Sequence, residues 1–305
     1  FDGPIFKGTK ERSDTTLMFS ARRSYLQFVF ALVGLPIRPD YWDYQWKLNH
    51  EIDERNTLTF IGLGSIDDFS VVAPDEFDAE QQATLEQVPI IEQKTLTLGL
   101  TWKHKLRNGK GQINTILSSN RLKNIFSRYD DNQNKSGVLF RNDSKEQETK
   151  LRVHVTSFSG NWKLSYGANL QNSVYSNNTV NTLDNFLYET KIDFIKYGFF
   201  GKISSSFLNE RLSLALGLRS DADSFTEGSN LIDNFSPRLS ASYALKEDNS
   251  WKLNASVGRY FKIPTYTMLG FQSNSGDFIN RMNRYTQSEH YVFGLEYNVS
   301  PSTRF

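Results

Sequence analysis

The feature that most constrains the fold of this chain is a strict alternation of apolar and polar residues. From Trp162 to Leu170 every second residue is apolar, and polar or small residues fill the alternate places. The same period recurs in residues 96–102, 212–218, 251–257 and 291–297. A period of two predicts a β-strand with one apolar and one polar face. The apolar face must therefore pack against a second protein layer or against lipid.

The connections between these strands help to distinguish the two cases. Short polar turns are predicted about fifty residues apart, at 53–56, 107–110, 159–161, 209–211, 246–250 and 300–302, a spacing too wide for consecutive short hairpin strands. Long loops are predicted between them, at 67–92, 129–137, 176–185, 221–233 and 261–286. Alternating short and long connections are typical of outer-membrane barrels. The pattern favours an all-β, antiparallel transmembrane β-barrel with about twelve strands in this chain.

Aromatic residues and composition agree with this fold class. Five aromatic residues lie within a few positions of a short turn, as in an interfacial girdle: Trp102, Trp162, Tyr243, Trp251 and Tyr297. The chain is 38% hydrophobic with a mean hydropathy of -0.51, as expected when half of each strand faces a polar lumen. The longest apolar run, residues 26–37, is too short for a spanning helix, and it is predicted to form a short loop helix.

Charge and cysteine content exclude several function classes. The net charge is +1, and the lysines and arginines are spread through the strands, so nothing indicates nucleic-acid binding. No cysteine is present among 305 residues, which excludes disulfides and thiolate metal sites. The four histidines lie on separate predicted strands without metal-ligand spacing, and 62–65 (Gly-Leu-Gly-Ser) is not a nucleophile elbow. The sequence therefore predicts a protein that is not an enzyme.

Several stretches resemble a known family. They are ARRSYL at 21–26, YWDYQWKLN at 41–49, NTLTFIGLGSIDDF at 56–69, SPRLSASY at 236–243 and SVGRYFKIPTY at 256–266. They are similar to the middle of TonB-dependent outer-membrane receptors, and most like members with a carboxypeptidase-regulatory-like domain before the plug.

The resemblance implies a 22-stranded barrel in the bacterial outer membrane, closed by an amino-terminal plug. Such a receptor imports a scarce nutrient of siderophore, glycan or peptide class, with energy relayed by the inner-membrane TonB complex. Residues 1–305 are then expected to be one barrel segment, incomplete at both ends, with the plug outside this chain. A surface lipoprotein partner is left open. The alternatives are a passive porin or structural outer-membrane barrel, and a soluble carbohydrate-binding β protein.

Two loops are candidate binding sites. Residues 67–92 carry eight acidic residues and no lysine or arginine. Such a run is usually a solvated surface; the alternative is a loop stabilised by Ca²⁺, with weak candidate ligands Asp67, Asp68, Asp75 and Asp78. No other cofactor is expected. The similar oxygen-rich stretch 130–137 lacks the glycine and glutamate of a calcium loop and is predicted to be a polar turn.

The second loop, 261–286, combines aromatic rings with amide and guanidinium groups that suit a sugar or planar ligand. The alternative, slightly favoured, is that these rings pack on neighbouring loops or on the plug. The candidate ligand-binding residues are Phe261, Tyr266, Phe271, Phe278, Arg284 and Tyr285.

Polar strand residues are predicted to line the lumen, where they solvate a channel or hold a plug. They are Lys47, Asn49, Thr97, Thr101, Lys103, Lys163, Asn169, Arg219, Arg238, Lys252 and Asn254.

Overall fold

The computed structural model is dominated by one antiparallel sheet in which each strand pairs with its neighbours in sequence. It describes residues 1–5, 13–72, 88–228, 230–248, 250–300 and 303–304. Within them the sheet has fourteen strands, and its first and last strands do not pair with each other. The two strands beyond the expected twelve are accounted for by β1 and β14, which are three and two residues long.

The strands are β1 Asp2–Pro4, β2 Thr15–Arg23, β3 Ile37–Glu51, β4 Asn56–Val71, β5 Ile90–Lys105, β6 Gly111–Asp131, β7 Ser136–Ser159, β8 Trp162–Asn181, β9 Phe186–Phe207, β10 Leu212–Asp223, β11 Ser236–Ala244, β12 Trp251–Lys262, β13 Thr286–Ser300 and β14 Thr303–Arg304. Two short α-helices lie in the described parts of the connections, α1 Leu26–Leu32 and α2 Tyr266–Leu269. The predicted loop helix is confirmed as α1. Among the described residues, no helix has the length and apolar character needed to cross a membrane.

The strand register places the predicted apolar residues on one face. Leu100 is opposite Leu117, Leu117 is opposite Leu151, and Leu151 is opposite Leu170. We call this side the outer face and the opposite side the inner face. No second sheet covers it within the described residues, and Leu98 remains 36% exposed. The alternative of a soluble β protein is therefore wrong, because a soluble β-sandwich would bury this face against a second sheet.

Aromatic residues collect on the outer face near the short turns. The rings of Trp251 and Tyr297 stack with centroids 4.3 Å apart. Trp162 meets Phe207 edge-on at 5.9 Å. Their position beside the short connections agrees with the predicted girdle at one membrane interface.

Two glycines of β4 make room for large rings of β3 on the same face. A Cβ atom at Gly62 would lie 2.2 Å from Trp46 Nε1, and one at Gly64 would lie 2.3 Å from Tyr44 Cζ. The ring of Trp46 also contacts that of Phe60, with centroids 4.9 Å apart. The Gly-Leu-Gly segment is thus a packing feature in which glycine lets a ring approach the backbone.

Two of the predicted long loops are wrong. Residues 129–137 and 176–185 lie mostly in paired strands, and only the turns 132–135 and 182–185 connect β6 to β7 and β8 to β9. Asp131 Oδ1 accepts hydrogen bonds from the backbone N–H groups of Gln133 and Asn134, both at 3.0 Å, which fixes the polar turn predicted there. Ladder hydrogen bonds are made by the backbone and do not require alternating apolar and polar side chains. The strands therefore continue through residues that are polar on both faces.

Candidate functional site

The β12–β13 loop, residues 263–285, folds onto the inner face of β7, β8 and β9. Strand β12 ends at Lys262, two residues before Pro264, because proline has no backbone N–H group to donate to a strand ladder. Helix α2 follows and inserts Tyr266 and Leu269 into a buried cluster with Tyr175, Ile192 and Phe194. The rings of Tyr266 and Phe194 are perpendicular with centroids 5.5 Å apart. Burial of these apolar side chains holds the loop against the wall.

A polar group completes this anchor. Tyr266 Oη donates a hydrogen bond to Glu148 of β7, and the same oxygen lies within hydrogen-bond distance, 3.2 Å, of Ser173 Oγ of β8. Lys196 of β9 donates from Nζ to Glu148 Oε1 at 3.0 Å, and its ammonium lies 5.0 Å from the centre of the Tyr266 ring. Burial, and then the hydrogen bond to Glu148, raises the pKa of the Tyr266 phenol. The phenol is therefore protonated at neutral pH. It donates to Glu148 of β7, accepts a hydrogen bond from Lys196 of β9 and contacts Ser173 of β8, which joins the loop to three strands.

The backbone of the loop is anchored one turn further on. Thr190 Oγ1 and Tyr188 Oη of β9 both donate to the carbonyl oxygen of Gly270, at 2.6 and 2.9 Å. The backbone N–H of Gln272 donates back to Tyr188 Oη at 3.0 Å. Phe271 stacks on the Tyr188 ring with centroids 6.0 Å apart. These contacts fix the exit from α2 on the wall.

The end of the loop is held by a buried tyrosine. Tyr285 Oη donates to Asp223 Oδ2 at 2.8 Å, while Asp223 Oδ1 accepts the backbone N–H groups of Phe225 and Thr226 at 2.7 Å. Burial, followed by the negative charge of Asp223, raises the pKa of Tyr285. Asp223 thus organises the start of the β10–β11 loop and ties it to the end of the β12–β13 loop.

The two loops also meet through side chains. Phe225 and Phe278 pack edge-on with centroids 5.3 Å apart. Arg281 lies over the Phe225 ring at 5.4 Å and pairs with Glu227 at 2.8 Å. The β10–β11 and β12–β13 loops therefore form one layer over the inner face.

The structure divides the predicted ligand-binding residues into packed and accessible groups. Tyr266 and Tyr285 are buried, and Phe278 is partly buried against Phe225. Phe271 and Arg284 remain exposed. Phe278 and Tyr285 pack at the start of the neighbouring β10–β11 loop, whereas Tyr266 packs on the strands of the wall. Ligand binding by the set stays a prediction.

The remaining candidate, Phe261, lines a polar hollow of about 430 Å³ beneath the loop layer. Arg219 pairs with Asp221 through two hydrogen bonds of 2.5 and 2.8 Å. The Nε atoms of Arg152 and Arg238 are buried and have no hydrogen-bond partner among the described residues. The other charged residues of the lining are Lys150 and Lys196. Because cations outnumber carboxylates, the hollow suits an anionic group.

The register places every residue of the predicted lumen set on the inner face, together with this hollow. Lys150, Arg152 and Lys196 were missed by sequence reasoning. The alternation of Leu151, Val153 and Val155 in β7 carries the signal for the first two, because Lys150 and Arg152 occupy the opposite parity.

The predicted calcium ligands are only partly described. Asp67 and Asp68 are successive residues of β4, so their side chains leave opposite faces of the sheet. Asp75 and Asp78 lie outside the described residues. Within the described part of the chain, no group of three or more His, Asp or Glu side chains converges on a metal site. A calcium site in this loop stays a prediction.

A wide antiparallel sheet with an apolar outer face, a polar inner face and loops folded inward defines the wall of a transmembrane β-barrel. The model of the family described as TonB dependent receptor-like, beta-barrel matches residues 31–303, and the chain belongs to this family. Its members are outer-membrane transport proteins of Gram-negative bacteria. No curated protein matches the sequence.

Solved structures of the same fold support the assignment. The copper transporter OprC superimposes with a TM-score of 0.68 at 15% identity, covering 94% of this chain and 47% of that one. The siderophore receptor PirA from Acinetobacter baumannii gives 0.69 at 13% identity, with coverages of 97% and 46%. P. aeruginosa FpvA bound to heterologous pyoverdines superimposes with a TM-score of 0.65 at 14% identity, covering 98% of this chain and 44% of that one. The chain thus spans about half the length of these proteins.

Proposed function

We propose that this chain forms about half of the barrel wall of an active importer that binds a scarce nutrient outside the cell. The observation that carries the proposal is the loop layer anchored over the cation-lined hollow of the inner face. A barrel that only admits solutes passively needs an open lumen, whereas a receptor needs a structured surface that a ligand contacts. Family membership supports the receptor over the passive porin.

The proposed energy source is the inner-membrane TonB complex, acting through a plug inside the barrel. The plug would meet the inner face, where Arg152 and Arg238 present buried donors without partners among the described residues. Acidic or carbonyl groups of a plug would satisfy those donors.

The proposed nutrient is an anionic chelate of a metal, with glycans and peptides as the other classes. Two features support this choice. The hollow beneath the loops has an excess of cations. The similar structures include a copper transporter and receptors for siderophores.

Uptake by the full-length protein tests the proposal. The protein would be produced in a Gram-negative strain lacking its own receptors, with and without functional TonB, and supplied with panels of labelled siderophores, glycans and peptides. We expect saturable uptake of an anionic chelate only when TonB functions. Uptake that is unsaturable and equal in both strains would identify a passive channel instead.

A further inference from the structure

The inner face of β6–β9 carries a polar and aromatic sector on the long-loop side. One register row across these four strands consists of Phe126, Asn142, Thr179 and Tyr188. A ring stands at each end of the row, and two short neutral polar side chains lie between the rings. At about 4.8 Å between neighbouring strands, the ends of the row are roughly 14 Å apart. The row therefore forms a trough with aromatic walls and a hydrogen-bonding floor.

Both walls are extended by further rings. Phe140 meets Phe126 edge-on, with centroids 5.8 Å apart. Phe186 is nearly parallel to Tyr188, with centroids 6.1 Å apart and an angle of 5° between the ring planes. Phe271 of the β12–β13 loop continues from Tyr188 at 6.0 Å. We call the following residues the aromatic trough: Phe126, Phe140, Asn142, Thr179, Phe186 and Tyr188.

The trough faces the barrel interior and lies beyond the membrane. Thr179 shares its side of β8 with Tyr175, which contacts the β12–β13 loop. Phe126 lies fifteen residues after Gly111, where β6 begins at a short turn. At about 3.4 Å per residue and a tilt of about 40°, this separation corresponds to roughly 40 Å of height, whereas the apolar band of the outer face is about 25 Å tall in such barrels. The trough is thus on the side that solutes from outside the cell reach first.

The middle ring of one wall is fixed, and the rings beside it are accessible. Tyr188 Oη donates to the carbonyl oxygen of Gly270 at 2.9 Å and accepts the backbone N–H of Gln272 at 3.0 Å. Phe186 and Phe271 are 49% and 48% exposed. A wall built around a fixed ring loses little conformational entropy when a ligand packs on it. The two exposed rings are therefore suited to ligand contact.

The floor of the trough offers neutral hydrogen-bonding groups. Asn142 donates one amide N–H to Thr179 Oγ1 at 2.7 Å, and Thr179 Oγ1 donates in turn to Asn177 Oδ1 at 2.7 Å. The carboxamide oxygen of Asn142 and its second N–H have no partner among the described residues. In this register row and the two adjacent rows of β6–β9, Arg128 is the single charged residue. The floor thus suits hydroxyl and amide groups rather than ions.

This combination of groups matches a neutral sugar. A pyranose ring presents a C–H face that packs on an aromatic ring, and its hydroxyls act as donors and acceptors. A peptide commonly binds by adding to a free sheet edge. Strands β6–β9 have no free edge, because each of them pairs on both sides. A sugar therefore fits the trough better than a peptide.

We propose that the aromatic trough binds a neutral oligosaccharide that arrives from outside the cell. Sugar rings stack on Phe186 and Phe271, and their hydroxyls exchange hydrogen bonds with Asn142. The cation-lined hollow is a separate site, since its Lys150 is six residues along β7 from Ser144, or roughly 20 Å. Glu148, which holds Tyr266, lies between the two sites on β7. The trough therefore does not depend on the anionic nutrient proposed above.

The test measures sugar binding by the full-length protein in lauryldimethylamine oxide micelles, because a detergent with a sugar headgroup would compete. The neutral probes are fluorescently labelled maltohexaose, cellohexaose and mannohexaose. Labelled hexagalacturonate is the anionic sugar, and a labelled Gly-Asn-Ser hexapeptide is the neutral peptide. By fluorescence anisotropy we expect at least one neutral sugar to bind with a Kd below about 1 mM, and more tightly than the anionic sugar and the peptide.

Variants of the wall connect this binding to the trough. We expect Phe186→Ala/Phe271→Ala to weaken it by about tenfold or more, because two stacking faces are lost. Phe186→Tyr/Phe271→Tyr keeps both rings and is expected to stay within about twofold of the wild type. The matched control is Phe235→Ala, whose ring is 47% exposed just before β11 and lies outside the trough. It is expected to bind like the wild type.

Heat-modifiable migration on a detergent gel checks the folding of each variant. Phe271→Ala alone, with an expected loss of about threefold, serves if the double alanine variant does not fold. The proposal is overturned if every neutral sugar binds more weakly than about 1 mM, or if the anionic sugar or the peptide binds more tightly than all of them. It is also overturned if the alanine variant keeps full affinity or the control loses as much. None of these outcomes bears on the TonB-dependent uptake test, so the two proposals fail separately.

Discussion

At the scale of single residues, the outer face depends on close approach between rings and backbone. We expect Gly62→Ala to lower the stability of the full-length protein by about 1 to 3 kcal/mol, because the added Cβ displaces the ring of Trp46. Urea unfolding followed by tryptophan fluorescence measures the change. Gly201→Ala is the control, since its Cβ meets no atom within 4 Å. Equal effects of the two substitutions would contradict the packing argument.

A second residue-scale prediction concerns the phenol that joins the loop to the wall. We expect Tyr266→Phe to destabilise the docked loop by about 1 to 2 kcal/mol, because Glu148 loses one donor while keeping Lys196. Faster amide hydrogen exchange in residues 263–285 would report the change. Tyr291→Phe is the matched control, since Tyr291 donates to Glu289 at 3.1 Å but is 75% exposed. Unchanged exchange in the loop would show that apolar packing alone holds it.

The buried Tyr285 makes loop docking sensitive to alkaline pH. Its folded-state pKa is raised above the ordinary value of about 10 by burial and by Asp223. The protonated phenol therefore stabilises the docked loop fully below pH about 10, and this contribution falls as the pH rises toward the folded-state pKa. Ultraviolet absorbance of phenolate, compared between wild type and Tyr285→Phe, should show no ionisation of Tyr285 just above pH 10. Ionisation at the ordinary pKa would contradict its burial.

At the scale of elements, the sequence predicted strands wherever one face is apolar and the other polar. It located the turn after Ser159 and the loop helix that became α1. It failed in 129–137 and 176–185, because a strand that is polar on both faces has no alternation to detect. It also did not predict the row formed by Lys94, Lys123 and Lys145, which are far apart in sequence and become neighbours only through register.

The same limit applied to the candidate site. Aromatic composition indicated that residues 261–286 are important, but not which rings are buried. Burial of Tyr266 depends on Glu148, Ser173 and Lys196, which come from three different strands. Such contacts have long sequence separation, and no local pattern encodes them.

The polar hairpin of β6 and β7 gives a prediction at this scale. We expect backbone amides in residues 122–128 and 141–147 to be protected from hydrogen exchange, because they continue the paired ladder beyond the apolar band. Exchange in the full-length protein measured by mass spectrometry tests this. The turn at 132–135 serves as the internal reference for fast exchange. Equal rates in turn and ladder would contradict the pairing of β6 with β7 beyond the apolar band.

At the scale of the whole molecule, the two faces of the wall have separate tasks. The outer face meets lipid with an apolar band. The inner face holds the loop layer over a cation-lined hollow. This separation means that changes to the hollow on the inner face should leave the packing of the outer face intact.

The last prediction uses this separation. We expect Arg152→Gln/Arg238→Gln to lower uptake of an anionic nutrient by about tenfold or more, since both guanidinium groups face the hollow with a buried Nε lacking a partner among the described residues. The variant should still migrate as a folded barrel on a detergent gel. Lys47→Gln/Lys103→Gln, outside the hollow lining, is the control for loss of inner-face charge. Unchanged uptake together with unchanged plug stability in the arginine variant would show that this hollow contacts neither ligand nor plug.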